Sequence, residues 1–280
     1  MGSLKTFALA GALALGASAA AAADLAYPAP LPAEPPVLRG SINSGFYLRG
    51  DIGVGSQSYD DLDVKLNGAP VIQTVGVNTF TTVKPDRSFA AFAGVGIGYQ
   101  FNNWLRFDLT GEYRGASFNG RDQISYDFGV PTNQTNIYRA DIATFVGLVN
   151  GYIDLGTWNC LTPYLGAGIG FANHTVNGFS DNGVNQAVGA AFGNVSYAYG
   201  DSRSTTNFAW ALMAGVSYDV TSNLKLDIGY RYLNMGDGPT VGLGGANGLL
   251  ANPSSSVRFK SIDSHDIRIG MRWNFSDPSC

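Results

Sequence analysis

The sequence predicts an all-β fold, an eight-stranded antiparallel up-and-down transmembrane β-barrel, and three observations predict it. Eight segments between Gly45 and Phe275 alternate apolar and polar residues with period two. The connections between them run long, short, long, short, long, short, long, the plan of a membrane barrel with tight turns at one end and extended loops at the other. After residue 23 no apolar run approaches the ~20 residues of a spanning helix. A soluble sandwich with one apolar face per strand has no reason to gather every long connection at one end.

The 280 residues include 37 Gly, 14 Tyr and 16 Phe, with 14% charged residues and a net charge of -4. That composition excludes a disordered chain, and without clustered Lys and Arg it excludes nucleic acid as a partner. Residues 1–23 read as a secretory signal: Lys5 is the positive start, Phe7 to Ala20 the apolar region and Ala21-Ala22-Ala23 the cleavage site. An anchor helix is the competing reading, opposed by the short, alanine-rich run and the prolines after it. Residues 24–44, with Tyr27-Pro28-Ala29-Pro30-Leu31-Pro32 and Pro35-Pro36, read as a Pro-rich periplasmic tether or a plain disordered terminus. Residues 45–280 form the barrel domain.

The eight segments follow in order. The first sets Phe46, Leu48, Ile52 and Val54 against Tyr47, Arg49 and Asp51. In the second, Phe89 through Phe101 at odd positions face lipid, and Phe92, Gly94, Gly96 and Gly98 face inward. The third sets Leu105, Phe107, Leu109 and Tyr113 against Arg106, Asp108, Thr110, Glu112 and Arg114. The fourth, about Tyr138 to Leu155, is apolar on both faces in its middle. Its favoured phase puts Ala143, Phe145, Val149 and Ile153 outward and Asn150, Tyr152 and Asp154 inward; the alternative is a bulge that reverses its upper half. The fifth sets Leu165, Ala167, Ile169 and Phe171 against Tyr164, Gly166, Gly168 and Gly170; the sixth sets Phe208, Trp210, Leu212, Val216 and Tyr218 against Ala209, Ala211, Ser217 and Asp219. The seventh sets Leu224, Leu226, Ile228, Tyr230 and Tyr232 against Lys225, Asp227 and Arg231. The eighth sets Ile267, Ile269, Met271, Trp273 and Phe275 against Asp266, Arg268 and Arg272.

The short connections are Asn102-Asn103, Gly156 to Leu161 and Thr221 to Asn223, and the long ones are 56–87, 116–137, 173–206 and 236–263. An even strand number puts both termini on the short-turn side. Cys160, in a short turn, and Cys280, in the tail, then share that side; in an exported chain they are a candidate disulfide, within the chain or between chains.

Seven bases and seven acids fall on inward positions: Arg49, Arg106, Arg114, Lys225, Arg231, Arg268 and Arg272 against Asp51, Asp108, Glu112, Asp154, Asp219, Asp227 and Asp266. Enclosed charges must be paired or hydrated, and eight strands leave an interior about wide enough for side chains alone. The third segment stands opposite the seventh. The expectation is therefore a salt-bridged plug, in which Arg106, Asp108, Glu112 and Arg114 reach Lys225, Asp227 and Arg231 while Asp266, Arg268 and Arg272 join beside them; a gated polar channel is the alternative. The alternating glycines of segments two and five have no helix after them, which rules against a dinucleotide loop, and they leave room for the long inward side chains. His174 and His265 lie on non-neighbouring segments, a thin basis for a catalytic base, a metal or haem. No cofactor, metal site or catalytic residue is expected.

Leu224-Lys225-Leu226-Asp227-Ile228-Gly229-Tyr230-Arg231-Tyr232, Thr162 to Gly170 and His265 to Phe275 resemble the small outer-membrane β-barrel proteins of alphaproteobacteria. These are the porin-family or surface-antigen type, related in build to the OmpA-type transmembrane barrel. The resemblance implies the outer membrane of a Gram-negative bacterium, with outer-membrane lipid and the barrel assembly machinery as partners. It also implies that Phe275 is the final-strand aromatic the machinery reads, although Ser276 to Cys280 follow it. The expected role is non-enzymatic, structural and surface-presenting. A small-solute porin, or a loop-borne adhesin or haem-binding surface protein, is the alternative; the sequence names no partner for the loops.

Overall fold

A strand that meets hydrocarbon on one face has no water to satisfy its backbone there, so every amide must find a neighbouring strand and the last strand must find the first. In the computed structural model, which describes residues 44–66, 69–70, 74–75, 78–82, 87–127, 130–188, 191–245 and 256–275, that closure is complete. The ring strands are β1 (Gly45–Leu66), β2 (Ser88–Gln100), β3 (Leu105–Asp127), β4 (Val130–Asp154), β5 (Leu161–Val188), β6 (Arg203–Asp219), β7 (Leu224–Asn234) and β8 (Ser256–Asn274). Each pairs antiparallel with the next. β8 closes on β1 from Tyr47↔Asn274 to Lys65↔Ser256. The signal sequence, all of the tether but Ser44, and Cys280 lie outside the described residues.

The two faces separate as the period-two reading requires. Phe46, Leu48, Ile52, Ile97, Leu109, Val149, Ile169, Leu212, Ile228 and Ile269 are exposed on the outer wall, where hydrocarbon replaces the water they would otherwise meet. Arg49, Arg106, Glu112, Arg231, Asp266 and Arg272 are buried inside. Aromatic side chains mark both edges of the outer band, among them Phe46, Trp104, Tyr218, Trp273 and Phe275 towards the short turns and Phe89, Tyr113, Phe145, Phe171, Phe208 and Tyr230 towards the long connections. Two outward glycines carry aromatic lids: a Cβ on Gly147 would lie 2.9 Å from the Phe171 ring, and one on Gly151 would lie 3.0 Å from Phe107.

The structure bears out the favoured phase of the fourth segment: β4 holds it from Tyr138 to Asp154, with even-numbered residues buried, and the bulge sits on its neighbour. The β4–β5 register slips between Arg139↔Ser180 and Asp141↔Asn177, and Gly178 takes up the extra residue with φ 60°, a conformation that costs glycine nothing. Below it His174 and Val176 point inward; above it Phe179 does.

The structure corrects the expected lengths. The segments 56–87, 116–137 and 173–206 are largely not loops: β1, β3, β4 and β5 run 22, 23, 25 and 28 residues, against the ~9–11 that cross a bilayer. Short strands at Asn78–Thr82, Ala191–Gly200 and Thr240–Gly245 pair onto β3, β5 and β8 and continue the wall. Among the described residues the raised wall buries a cluster of apolar side chains on its inner face. Tyr59, Phe118, Phe179, Val257, Phe259 and Ile262 are buried there, and the rings meet edge to face, Tyr59–Phe118 at 5.3 Å and Phe118–Phe259 at 4.9 Å. Polar composition suggested loops because outward residues such as Ser117, Asn119 and Asn177 are polar; the buried aromatic and aliphatic residues build a core that holds the ladders upright.

Replacing Ile269 with Arg puts a charge near mid-bilayer at a cost of about 2–4 kcal/mol, so that variant should fail to give the folded, heat-modifiable band on a gel. Phe259→Ala removes a central ring of the upper core. It should lose about 3–5 kcal/mol in reversible urea unfolding while still inserting into lipid, because no lipid-facing residue changes.

Candidate functional site

The candidate site is the filled lumen, and it is layered. At the short-turn end Arg106, second in β3, donates from Nε to Asp154 Oδ1 at 3.2 Å. Its guanidinium lies between the rings of Tyr152 and Tyr164, 4.0 and 4.8 Å from their centroids. Arg272 of β8 meets Asp227 of β7, Nε to Oδ2 2.8 Å, donates to Ser217 Oγ at 2.7 Å and stacks over Tyr47 at 5.6 Å.

In the next layer Arg49 donates to both oxygens of Asp51 at 2.8 Å. Its Nη1 reaches Asp108 at 2.6 Å and the Tyr152 hydroxyl at 2.9 Å. Asp108 also accepts from the Tyr47 hydroxyl at 3.1 Å and from Asn150 Nδ2 at 2.7 Å, and Arg268 Nη2 donates to Asp51 at 3.1 Å. Glycines make the room: a Cβ on Gly98 would strike the Tyr47 ring, and one on Gly166 would lie 2.5 Å from Tyr152.

Above this lies a four-membered ring of alternating charge. Glu112 accepts from Arg114 at 2.6 Å and from Arg231 at 2.7 Å, and Asp266 accepts from the same two arginines at 2.8 and 2.7 Å. Each carboxylate sits between two guanidiniums and each guanidinium between two carboxylates, with the Phe92 ring 5.0 and 5.1 Å from the two arginine centres. Ser264 donates to the remaining Asp266 oxygen at 2.6 Å.

Of the fourteen inward charges singled out in the sequence, the structure brings twelve into these layers and leaves out Lys225 and Asp219. Lys225 does not cross the lumen; it pairs at 2.5 Å with Asp219, its register partner on β6. It is the second residue of β7, at the wet mouth, where a flexible ammonium takes the nearest acid. The uncharged inward residues Tyr47, Asn150, Tyr152, Tyr164 and Ser217 hold the charged groups in place, and so does Met213, which the sequence reading did not name. All occupy inward positions of the same alternation, so the phase alone finds them.

His174 and His265 face opposite sides of the wall. His174 Nε2 donates to the Met235 carbonyl at 3.0 Å and Nδ1 accepts from the Thr144 hydroxyl at 2.9 Å, a staple across β4, β5 and the segment after β7. His265 lies on the outer face with Nδ1 2.5 Å from the Tyr230 hydroxyl. Cys160 is exposed in the β4–β5 turn. Phe275 is exposed and its amide donates to the Phe46 carbonyl at 3.0 Å, which carries the ladder one step past β8.

The family model of the outer membrane protein β-barrel domain matches residues 7–275. An uncharacterised protein of Brucella abortus is 32% identical over 283 residues, covering 92% of this chain and 93% of its own length. The outer membrane protein PagN of Salmonella typhimurium is 32% identical over 191 residues, covering 60% of this chain and 72% of itself. A Rickettsia bellii protein whose name proposes that it is an adhesin is 29% identical, with 67% of this chain and 77% of that protein covered.

Glu112 is the sharpest test of the charge ring. Glu112→Ala leaves Arg114 and Arg231 sharing one carboxylate in a closed interior, and breaking such a buried set costs about 3–5 kcal/mol. The variant's denaturation midpoint in urea should fall by that equivalent, whereas Glu112→Asp, which keeps the charge, should lose less.

Proposed function

The chain belongs to the outer membrane β-barrel domain family and lies in the outer membrane of a Gram-negative bacterium, and from that premise we propose that it is a non-enzymatic, surface-presenting barrel whose lumen is closed at rest. The observation that carries this reading is the double filling of the interior. Paired charges occupy the lower part and packed aromatic and aliphatic side chains occupy the upper. A solute would have to break ion pairs first and then cross an apolar core. Such a barrel serves as a mount: its closed base is anchored by the lipid-facing band, and its raised ladders carry the outermost connections away from the membrane.

Adhesion is the surface role favoured here, because two relatives are an outer membrane protein and a protein named for adhesion, and because a wall stiffened by its own core presents its tips at low entropic cost. Phe275 serves in this reading as the final-strand signal for assembly, and Cys160 with Cys280 as a disulfide at the periplasmic end.

Planar-bilayer recording tests the closed lumen. Wild-type protein should show no stable openings of porin size, and Glu112→Ala combined with Arg231→Ala should stay closed as well, since the ion-pair layers below the charge ring and the apolar core above it remain in place. Steady porin-sized openings from the wild type would overturn the proposal.

A further inference from the structure

The outer wall is not evenly covered. Across β1 to β4 the outward residues at one level are Val54, Ala91, Gly115 and Ala143, in register. Two levels lower stand Gly50, Val95, Gly111 and Gly147. Small residues at both levels leave two adjoining dents. The lower, of about 630 Å³, is floored by Gly50, Ala93 and Gly111 and walled by Ile52, Ile269 and Phe145. The upper, of about 740 Å³, is floored by Ala91, Gly115 and Ala143 and rimmed by Arg87, Ser117 and Asp141. Tyr113 borders both, so the two dents meet at that ring and together make a stepped groove up the barrel.

The groove changes character along its length. Its lower part lies in the apolar band, where only hydrocarbon is available to fill it. Its upper part rises past Phe89 and Tyr113, the aromatic edge of the band, into polar surroundings. Arg87 is exposed at that rim and Arg139 is exposed one level above Asp141; among the described residues neither is paired, whereas Asp141 accepts from Ser117 at 3.1 Å. Two cations with no acidic partner among the described residues stand above an apolar trough and match an amphiphile with acyl chains below and an anionic phosphate head above.

We propose that this β1–β4 groove is a binding site for an outer-leaflet lipid bearing phosphate, with an acyl chain over Gly50 and Gly111 and a phosphate near Arg87 and Arg139. Arg87 and Arg139 select the head by charge, and the floor of glycine and alanine selects a chain by shape. Binding there involves no bond making and is independent of whether the lumen conducts.

Native mass spectrometry of the intact barrel, released from micelles containing either diphosphoryl lipid A or phosphatidylcholine, reads the site. Wild type should retain one diphosphoryl lipid A in preference to phosphatidylcholine, and Arg87→Glu should reduce that preference about fivefold or more, as expected for a cation near a charged lipid surface. Gly50→Leu and Gly115→Leu should displace the lipid without unfolding the barrel, since a Cβ at either position meets nothing within 4 Å. Equal retention of both lipids by wild type, undiminished lipid A on Gly115→Leu, or a barrel dimer in place of a lipid adduct would each overturn the assignment.

Discussion

The structure depends on one constraint: in hydrocarbon, a backbone amide or carbonyl without a partner has nowhere to turn. That demand closes β8 onto β1 over eighteen register pairs and forbids an edge. Closure then fixes everything else. An eight-membered ring has an interior only about as wide as its own side chains, so whatever alternates away from lipid must be packed to completion, and a charge placed there must bring its counter-charge with it.

The lumen answers that demand in two ways along one axis. Where the wall is surrounded by lipid, arginines and carboxylates interlock with tyrosine rings beside them. Breaking one member of such a set costs more than the whole set contributes over an apolar filling, so the ion pairs specify one arrangement of strands more than they add stability. Higher up, aromatic and aliphatic groups meet in the interior. Outside them lies water, and burial there follows the ordinary hydrophobic rule. One chain thus solves the membrane problem and the soluble problem in succession, and His174 sits at the junction, tying both to the segment that follows β7.

Much of this was legible in the sequence because alternation is a local signal. Eight strands, their order and the facing of residues such as Arg231 and Ile269 follow from period two and from the spacing of turns. What escaped has physical causes. A bulge such as that at Gly178 changes the phase by one residue without a distinctive pattern, since glycine is common throughout. The raised ladders were read as loops because their outward residues, Ser117, Asn119 and Asn177 among them, are polar, and polarity outside the membrane does not distinguish a ladder from a loop. Lys225 was misplaced because its position near the end of a strand, rather than its phase, decides how much water it meets.

The raised wall has a consequence for how the surface of this protein changes over time. Above the lipid band each strand still alternates, so one residue in two belongs to the interior set of Tyr59, Phe118, Phe179 and Phe259 while its neighbours touch only water. Substitutions at those neighbours leave the core untouched and cost little. The exterior of the raised wall can therefore accept change residue by residue, on a frame whose shape its interior keeps intact.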